Sequence, residues 1–482
     1  MVDFRSAFFI VGVFLIALAA GMFAPATMDL LSGNPDWKVF LAGAVVTMFF
    51  GGAAVLANRG KQANLSLRQT FLLTTLIWVF LTLFASLPFV FSGLNLSFTD
   101  AYFEAMSGIT TTGSTVLSDL DNAPPGILLW RSILQWMGGL GIIVMSISIL
   151  PLMQVGGMQM FRVEAFDVDG KVLPRMAQLS GSIMVVYLVL TGVTAIALWT
   201  AGMSAFEALN HAMTTIATGG YSTSDASVGH FNNAGIEVII TMGMLAGGIP
   251  FLLYVKSLNG DLGALHRDSQ VRGYLGILFV STMAVAAWLF YHGGMPVLSS
   301  LRNASFSVVS IMTGTGYVSS DYGQWGTFPV GFLFFLTFVG GCAGSTACGM
   351  KVFRFQILFR ALRCQINKMV TPHAVMQPSY NGAKVSDAVI TSITGYFFLF
   401  GMCFVVLSMG LTLAGLDFVT ALSSAATSLA NVGPGLGPIV GPSGTFQDLP
   451  DAAKWMLSAG MLVGRLEIFT VVVLFSRNFL RG

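Results

Sequence analysis

The amino-acid sequence predicts an all-α polytopic membrane protein, and three observations carry this prediction. Of the 482 residues, 55% are hydrophobic and only 9% are charged, whereas soluble domains carry roughly 25% charged residues. The apolar residues fall into ten segments, each close to the ~20 residues that a helix needs to cross a bilayer. From residue 70 onward, a shorter segment rich in glycine and threonine recurs four times between these spans. The composition excludes a water-soluble globule, and the recurrence predicts four similar units.

The predicted spans are the first element of this architecture. Two of them precede the repeated part of the chain, and the other eight form four pairs. The first segment, with Arg5 ahead of its apolar run, also has features of a cleaved signal peptide. We interpret it as a span because a second apolar run follows at once. The ten spans are predicted at residues 7–25, 38–57, 70–92, 127–153, 181–202, 234–258, 273–292, 327–350, 387–413 and 452–476.

The basic residues predict the orientation of the chain. With a cytoplasmic N-terminus, 18 of the 23 Lys and Arg residues fall in inside segments, which satisfies the positive-inside rule and places both termini in the cytoplasm. The inside set is Arg5, Arg59, Lys61, Arg68, Arg162, Lys171, Arg175, Lys256, Arg267, Arg272, Lys351, Arg354, Arg360, Arg363, Lys368, Lys384, Arg477 and Arg481. The outside segments keep Lys38, Arg131, Arg302 and Lys454, while Arg465 alone falls within a span.

The acidic residues show the opposite distribution. Ten aspartates fall in the outside segments, namely Asp29, Asp36, Asp100, Asp119, Asp121, Asp225, Asp321, Asp417, Asp448 and Asp451. An acidic outer face concentrates cations at an entrance. Simple avoidance of the inner loops by acidic residues explains the distribution equally well, so both interpretations stay open.

The repeated segments align with one another without gaps. Their glycines Gly113, Gly220, Gly316 and Gly433 coincide, at intervals of 107, 96 and 117 residues. A second match lies on the following span, where Gly138-Gly139, Gly247-Gly248 and Gly340-Gly341 correspond to Gly464-Arg465. The first two units also share a Phe-Glu-Ala sequence, from which we expect Glu104 and Glu207 at matching positions, where they orient the loops by hydrogen bonds. Four segments in register between spans argue against four unrelated outer turns.

The physics of a glycine-containing loop at membrane depth is restrictive. Non-helical backbone survives there only when protein buries it or when it lines a water-filled cavity. Four such loops around one axis would direct backbone carbonyls at a common centre, where they replace the water shell of a cation. Glycine permits the backbone angles required, neighbouring threonines add hydroxyl oxygens, and the preceding helices direct their negative ends at the cavity. The repeat therefore predicts four re-entrant pore helices around a cation pathway.

The four loops also resemble those of a known family. The segments Thr110–Ser114, Ala217–Tyr221, Thr313–Tyr317 and Asn431–Pro434 resemble the pore loops of the Trk/Ktr/HKT superfamily of potassium transporters. With two extra N-terminal spans, the chain looks most like the bacterial Trk membrane subunit. The resemblance implies four pseudo-symmetric span–pore-helix–loop–span units around one pore, a homodimer, and a cytoplasmic nucleotide-binding ring of RCK domains. Serine at the first loop glycine goes with sodium transport in the superfamily, so four glycines favour potassium.

The resemblance implies the division of the chain and the residues that hold potassium. Two N-terminal spans occupy residues 1–62, and the pore units occupy residues 63–160, 161–265, 266–365 and 366–482. The expected selectivity filter, which binds potassium mostly through backbone carbonyls, comprises Thr110, Thr111, Thr112, Gly113, Ala217, Thr218, Gly219, Gly220, Thr313, Gly314, Thr315, Gly316, Ala430, Asn431, Val432 and Gly433.

A glycine-rich run in the span at 327–350 is the first candidate gate element. The run should interrupt a helix, and the superfamily has an intramembrane loop here, beneath the filter. It is no phosphate-binding loop, because Met350-Lys351 stands where that motif has Lys-Ser/Thr. Close helix packing through small residues is the alternative. The candidate gate residues are Gly340, Gly341, Gly344, Ser345, Thr346 and Gly349, while Cys348 stands where a small residue such as glycine is expected.

Arg465 is the second candidate gate element. On a continuous helix it lies 12 residues before Arg477, which is about 18 Å at 1.5 Å per residue. A charge at such depth is costly and normally faces a cavity or a partner. We expect Arg465 to repel cations or to hydrogen-bond carbonyls of the glycine-rich run, and so to hold a barrier closed. A purely structural arginine is the alternative, and Glu467 is expected on a different helix face.

A basic run after the gate elements is a candidate docking surface for the cytoplasmic ring. Ordinary positive-inside charge and binding of anionic membrane lipids explain it equally well. The run consists of Lys351, Arg354, Arg360, Arg363 and Lys368.

Other function classes fit the sequence less well. The five histidines are scattered without a zinc-protease or nucleophile-elbow pattern, and His211 is expected as a packed or hydrogen-bonded residue of a pore helix. A secondary transporter coupled to protons or sodium is the stronger alternative, although such folds use inverted repeats. The sequence thus predicts potassium uptake through a selective, gated, channel-like pore in the bacterial cytoplasmic membrane. It predicts no enzyme, no organic cofactor and no nucleic-acid partner.

Overall fold

The computed structural model describes residues 5–60, 66–148, 156–158, 172–373 and 376–476. Helices dominate these residues, and the sheet found among them is a two-stranded antiparallel hairpin, β1 (Ser379–Tyr380) and β2 (Ala383–Lys384). Five of the basic residues that are predicted on the cytoplasmic side lie outside the described residues, namely Lys61, Arg162, Lys171, Arg477 and Arg481.

In the described residues up to position 148, seven helices form the N-terminal part and the first unit. The first and third helices approach closely at Gly12 and Gly51, because neither residue has a Cβ atom. A Cβ atom on either glycine would meet the carbonyl oxygen of the other at 2.7 to 2.9 Å. Ser66 begins the fourth helix with a capping box, in which its side chain and that of Gln69 each bond the other's backbone N–H. The helices are α1 (Arg5–Gly21), α2 (Phe23–Ser32), α3 (Trp37–Ala57), α4 (Leu67–Ala85), α5 (Leu87–Phe91), α6 (Phe98–Ile109) and α7 (Pro125–Ser148).

The second and third units follow the same order of a long helix, a pore helix and a second span. The second unit contains α8 (Val172–Thr200), α9 (Ala205–Ile216), α10 (Ala234–Gly247) and α11 (Phe251–Leu258), followed by the short α12 (Ala264–Arg267). The third unit contains α13 (Ser269–Tyr291), α14 (Val297–Thr313), α15 (Thr327–Leu336) and α16 (Val352–Val370). Short 3-10 helices lie in the connections after the first three pore helices, at Leu120–Asn122, Ser227–Phe231 and Tyr322–Gln324.

The fourth unit completes the repeat. It contains α17 (Asp387–Leu413), α18 (Phe418–Ala430), α19 (Gly437–Val440), α20 (Asp451–Arg465) and α21 (Phe469–Val472), with a 3-10 turn at Val473–Phe475. Three pore helices begin at the same register with a capping side chain, because Ser97, Ser204 and Asp417 each accept the backbone N–H three residues later, at 3.1 to 3.2 Å. The pore helix α14 starts instead after Pro296 and is longer.

The structure supports the membrane class and corrects two predicted spans. Seven helices within the described residues are long and apolar enough to cross a membrane, and two bent pairs raise the number to nine. The spans predicted at 234–258 and 452–476 are wrong as continuous helices, since their halves meet at 90° and 107°. The first bend falls before Pro250, which disfavours helical geometry in the preceding residue. The expectation that the glycine-rich run interrupts the span at 327–350 is confirmed, since the helix there covers Thr327–Leu336.

The prediction that Arg465 alone carries charge within the spans is wrong. Arg131 and Lys454, assigned to outer segments, are 1% and 4% exposed and form ion pairs with Glu104 and Asp100. The predicted docking run also loses its first two members, since Lys351 and Arg354 are buried at 8% and 0% exposure. Paired charges are tolerated inside a helical bundle because the partner replaces the lost hydration, and sequence position alone does not reveal such partners.

Candidate ion pathway

Each of the four pore helices ends in the same backbone turn. The N–H groups of Thr112, Gly219, Thr315 and Val432 each donate to the carbonyl five residues earlier, at 2.9 to 3.0 Å. The residue before each of these is left-handed, with φ of 53° at Thr111, 50° at Thr218, 74° at Gly314 and 51° at Asn431. This is the hydrogen-bond pattern with which helices commonly terminate. The turn leads the chain out of the helix in the same direction in all four units.

The four aligned glycines close a ring of backbone groups. All have positive φ, with 88° at Gly113, 77° at Gly220, 76° at Gly316 and 111° at Gly433. A Cβ atom built on any of them comes closer than 3.0 Å to a carbonyl oxygen of another unit. The carbonyl belongs to Gly219 for Gly113, to Thr315 for Gly220, to Val432 for Gly316 and to Thr112 for Gly433. The units therefore contact one another in the cyclic order one, two, three, four, one, and we call these four carbonyls the carbonyl ring.

The second set of aligned glycines packs against the pore-helix ends. A Cβ atom on Gly138, Gly247 or Gly464 would lie within 3.0 Å of the carbonyl oxygen of Ile109, Ile216 or Leu429, respectively. Each second span thus touches the end of the pore helix in its own unit. In the third unit Gly340 packs instead on the backbone of Cys348 and Gly349. The third unit is therefore the one whose second span departs from the common arrangement.

The threonine hydroxyls beside the ring bond within the loops. Thr110 and Thr112 share a hydrogen bond of 2.7 Å, and Thr313 and Thr315 share an equivalent bond of 2.7 Å. Units two and four have no hydroxyl at these positions, where Ala217, Gly219, Ala430 and Val432 stand. The amide of Asn431 compensates in part, because its Nδ2 donates to Thr112 Oγ1 at 2.9 Å. The hydroxyls thus stiffen the loops, and the backbone supplies the ring itself.

A buried ion pair supports the ring from its outer side. The Glu104 carboxylate accepts the Val116 N–H at 3.0 Å and the Arg131 Nε–H at 2.8 Å. Arg131 also donates from Nη1 to the Ser222 carbonyl at 2.9 Å, and its guanidinium stacks 4.0 Å from the Tyr221 ring centre. The prediction that Glu104 orients its loop by hydrogen bonds is confirmed. The pair joins unit one to unit two just beyond the ring.

The predicted equivalence of Glu104 and Glu207 is wrong by one helical turn. The glycine register pairs Glu104 with His211, whose Nε2 bonds Ser222 Oγ at 3.1 Å and whose Nδ1 bonds the Glu207 carbonyl at 2.9 Å. Glu207 caps the start of α9 by accepting the Ser204 N–H at 2.9 Å. The shared Phe-Glu-Ala sequence is therefore coincidental in structural terms. The expectation that His211 is a hydrogen-bonded pore-helix residue is confirmed.

Three residues that hold the loops together were missed at the sequence level. Gln135 on α7 donates to the Gly219 carbonyl at 2.6 Å and accepts the Tyr221 N–H at 3.1 Å. The Tyr221 hydroxyl donates to the Glu104 carbonyl at 2.9 Å, and the Tyr317 hydroxyl makes the equivalent 3.4 Å contact with the His211 carbonyl. The matching Gly-Tyr pairs in units two and three were a visible signal for the tyrosines. Gln135 gave none, because it lies within an apolar span.

The glycine-rich run of the third unit forms a loop directly below the second unit's pore helix. Hydrogen bonds from Gly340 N–H to the Met350 carbonyl at 2.9 Å and from Met350 N–H to the Phe338 carbonyl at 3.1 Å close its neck. Thr346 Oγ1 donates to the Ile216 carbonyl, at the end of α9, at 2.9 Å. We call residues 340–350 the intramembrane loop.

The intramembrane loop also occupies the bend between α10 and α11. The Cys342 and Thr346 N–H groups donate to the Gly248 and Gly247 carbonyls at 3.1 and 3.2 Å, and the Phe251 N–H donates to the Gly344 carbonyl at 3.0 Å. These bonds satisfy carbonyls and N–H groups that the 90° bend would leave without partners. The second bend lies near the same loop, so the broken spans and the loop form one arrangement.

Arg465 reaches the intramembrane loop from the end of α20. Its Nη1 donates to the Thr346 carbonyl at 3.2 Å and contacts Cys348 Sγ, and its Nη2 lies 3.4 Å from the Gly138 carbonyl. Cys348 Sγ lies 3.7 Å from Thr111 Oγ1, beside the ring. The expectation of hydrogen bonds to loop carbonyls is confirmed. The depth of 18 Å is not, because α20 ends at Arg465 and does not continue to Arg477. Among the described residues, no ion pair includes Arg465.

Four similar units around a ring of backbone carbonyls, with a charged residue and a non-helical loop beneath it, define a polytopic membrane protein of the cation-transport class. The chain belongs to the TrkH family of cation transport proteins, which it matches over residues 37–480.

Individual relatives resemble the chain over almost its whole length. The Trk system potassium uptake protein TrkI of Halomonas elongata is 43% identical over 98% of this chain and 96% of that protein. The Trk system potassium uptake protein TrkH of Escherichia coli K12 is 36% identical over 99% of each. The crystal structure of the potassium transporter TrkH from Vibrio parahaemolyticus superposes with a TM-score of 0.92 at 35% identity, covering 99% of both chains.

Proposed function

We propose that the chain takes up potassium through a selective, gated, channel-like pore in the bacterial cytoplasmic membrane. The observation that carries this proposal is the carbonyl ring, in which four glycines with positive φ admit the carbonyls of neighbouring units. Backbone carbonyls around one axis replace the water shell of a monovalent cation. The relatives named above, potassium uptake proteins by name, support potassium as the transported ion.

The ion would be held by the loop residues around the ring. The ring carbonyls belong to Thr112, Gly219, Thr315 and Val432. The remaining residues of the predicted selectivity filter would line the pathway next to the ring. Potassium needs no rigid cage of carboxylates here, since oxygen dipoles in sufficient number provide selectivity. The ends of the four pore helices add negative potential on the same side as the intramembrane loop.

The gate of the proposed pore consists of the intramembrane loop and Arg465. The loop lies below the ring and is held there by Thr346, which bonds both the second unit and Arg465. The Arg465 guanidinium, which has no carboxylate partner in the described part of the chain, opposes the passage of cations beneath the ring by charge repulsion. Opening then requires the loop and the guanidinium to move together.

The proposed regulation comes from the cytoplasmic side. We infer a homodimer and a cytoplasmic RCK-type nucleotide-binding ring, with both termini of the chain in the cytoplasm. Of the predicted docking run, Arg363 and Lys368 on α16 are exposed and remain available to such a partner, and Arg360 is half-buried. The names of the relatives refer to a Trk system, which supports a partner of this kind.

Coupling to protons or sodium is the alternative mechanism. The buried acids beside the ring and the gate are both paired with arginine, Glu104 with Arg131 and Glu467 with Arg354. In both pairs a guanidinium N–H donor occupies a carboxylate oxygen, at 2.8 Å for Glu104 and 2.6 Å for Glu467. This favours passive conduction.

Flux measurements in reconstituted vesicles test the proposal. Purified protein in liposomes with a potassium gradient is expected to carry potassium and rubidium in preference to sodium, and to do so faster with the cytoplasmic partner present. Passive conduction predicts equilibration down the potassium gradient with no accompanying change in internal pH. Equal competition by sodium would overturn the selectivity, and obligatory proton or sodium co-flux would replace the pore with the coupled transporter.

A further inference from the structure

A second buried arginine–glutamate pair lies at the break of the last span, next to the proposed gate. Arg354, the third residue of α16, is fully buried, and its Nη2 donates to Glu467 Oε2 at 2.6 Å. Its Nε donates to the Gly156 carbonyl at 2.9 Å, and its guanidinium stacks 3.7 Å from the ring centre of Tyr396 on α17. Three separate elements thus fix the position of this guanidinium.

Glu467 lies where the backbone of the fourth unit turns. It follows the end of α20 by two residues, has a φ of 59°, and precedes α21, whose axis is bent by 107° from that of α20. A residue other than glycine keeps such a conformation only when its surroundings impose it. The ion pair with Arg354 supplies that constraint, since it ties the Glu467 side chain to a helix of the third unit.

Arg465 and Glu467 are separated by one residue, and each is bound to the third unit. Arg465 bonds the Thr346 carbonyl of the intramembrane loop at 3.2 Å, whereas Glu467 bonds the helix α16 that begins where the loop ends. Lys351 joins these points, because its Nζ contacts the Ala347 carbonyl while its own carbonyl accepts the Arg354 N–H at 3.0 Å. A displacement of the start of α16 therefore moves the turn that carries Arg465.

We propose that the buried Arg354–Glu467 pair is the coupling contact that positions Arg465, so that movement of α16 reaches the barrier beneath the carbonyl ring. The proposal rests on the proposed function and assigns both residues a positioning role. The helix α16 has 19 residues and spans about 28 Å. Its far half is exposed, and Arg363 and Lys368 lie there. A partner that binds the exposed half would act on the gate through the buried pair at the other end.

Single and double variants of the buried pair test the coupling. Glu467→Gln keeps the shape of the side chain and removes its charge, so potassium flux without the partner is expected to rise by about 5-fold or more, the lower end of typical coupling between sites. Because Glu467→Gln leaves the Arg354 charge buried and unpaired, the double variant Arg354→Gln/Glu467→Gln provides a second test with neither charge present. The potassium-over-sodium preference is expected to stay unchanged, because neither residue touches the carbonyl ring.

A comparison with Arg465→Ala separates a positioning role from general loosening. If Glu467 acts through Arg465, then Glu467→Gln adds no further flux to the Arg465→Ala protein, as coupled residues are non-additive. Asp261→Asn is the control, since it removes the acid of another ion pair, with Arg267, at the exposed connection between α11 and α12. Its partner-free flux is expected to equal that of the parent.

The outcomes distinguish this inference from the proposed function. Parent-level flux in both the single and the double variant, alongside raised flux in Arg465→Ala, would overturn the coupling contact and leave the gate intact. An equal further rise on the Arg465→Ala background would also overturn it, since the effect would then bypass Arg465. A parent protein that carries no potassium would overturn the proposed function and the coupling with it.

Discussion

Two independent demands fix glycine at each of the four aligned positions that contact the carbonyl ring. The φ of 88° at Gly113 disfavours any side chain, and the Gly219 carbonyl oxygen occupies the space that a Cβ atom would need. The same holds for Gly316 against the Val432 carbonyl. A substitution must therefore shift a carbonyl of the neighbouring unit, and the defect spreads across the boundary between units.

Serine at one of the four aligned glycines is expected to lower ion selectivity. In Gly113→Ser or Gly316→Ser the displaced carbonyl weakens potassium binding, and a loss of about 1.4 kcal/mol lowers the potassium-over-sodium preference about tenfold. Competition of sodium and rubidium with potassium in liposome flux measures the change. Gly192→Ser is the matched control, because a Cβ at Gly192 on α8 meets no atom within 4 Å. Unchanged competition in both ring variants would contradict the assignment of the filter.

Removal of the Arg465 guanidinium is expected to open the barrier. Arg465→Ala loses the hydrogen bonds to the Thr346 and Gly138 carbonyls together with the positive charge. Potassium flux without the cytoplasmic partner should rise by about 5-fold or more, a typical effect of one coupling contact. Arg465→Lys, which keeps the charge but not the planar donor arrangement, separates charge repulsion from hydrogen bonding. Parent-level flux in the alanine variant would remove Arg465 from the gate.

At the scale of secondary-structure elements, the broken spans and the intramembrane loop depend on one another. The bend between α10 and α11 leaves backbone groups that the loop satisfies, through the bond from Phe251 N–H to the Gly344 carbonyl among others. The loop in turn has no helical hydrogen bonds of its own and is held by its neck and by α10. The bend and the loop thus satisfy backbone groups of one another.

A shortened intramembrane loop is expected to give flux that no longer depends on the partner. Deletion of residues 343–347 removes the contacts of Thr346 with Ile216 and Arg465, so the segment below the ring no longer blocks it. The potassium-over-sodium preference should remain near that of the parent, because the ring is built by other residues. Flux equal to that of the parent without the partner would contradict a gating role for the loop.

The Glu104–Arg131 pair is expected to contribute to the stability of the first two units. Glu104→Gln leaves a buried guanidinium unpaired, which costs about 3–5 kcal/mol and lowers the unfolding temperature in detergent. The double variant Glu104→Gln/Arg131→Gln should recover part of this loss, because no isolated charge remains. A single variant as stable as the parent would show that water reaches the guanidinium.

At the scale of the whole molecule, the four units are related by pseudo-fourfold symmetry but differ from one another. The ring contacts run through all four units, whereas the tyrosine contacts join only unit two to one and unit three to two. In the fourth unit Pro434 stands at the equivalent position, and Ser114 closes the last boundary by donating to the Gly433 carbonyl at 2.8 Å. The units thus share their backbone and differ in the side chains that join them.

A cysteine-labelling experiment tests the predicted orientation of the chain in the membrane. With both termini in the cytoplasm, Cys364, half-buried on α16, is expected to react with a membrane-impermeant thiol reagent only in inside-out vesicles. A cysteine introduced at Asp119 in a Cys364→Ser background should react only in intact cells. The reverse pattern would invert the predicted topology.

The sequence predicted the elements that repeat and the break in the third unit, and it missed two bends and several buried pairings. Period and spacing revealed the four glycines because each unit repeats the same backbone demand. Hydropathy placed α3 and α17 almost to the residue. It predicted continuous spans at 234–258 and 452–476, because the hydropathy of an apolar segment does not depend on whether the helix is straight or bent. Arg131, Lys454 and Gln135 act through partners far away in the sequence. Such pairings follow from packing, which local pattern does not encode.

The boundary between units four and one has a consequence for biogenesis. The bonds that close it, from Ser114 to Gly433 and from Asn431 to Thr112, join residues 319 positions apart. Contacts of such long sequence separation form late in folding. During synthesis and membrane insertion, the bonds between units one and four cannot form until the fourth unit has left the ribosome. The carbonyl ring is therefore completed only after all four units have been synthesised.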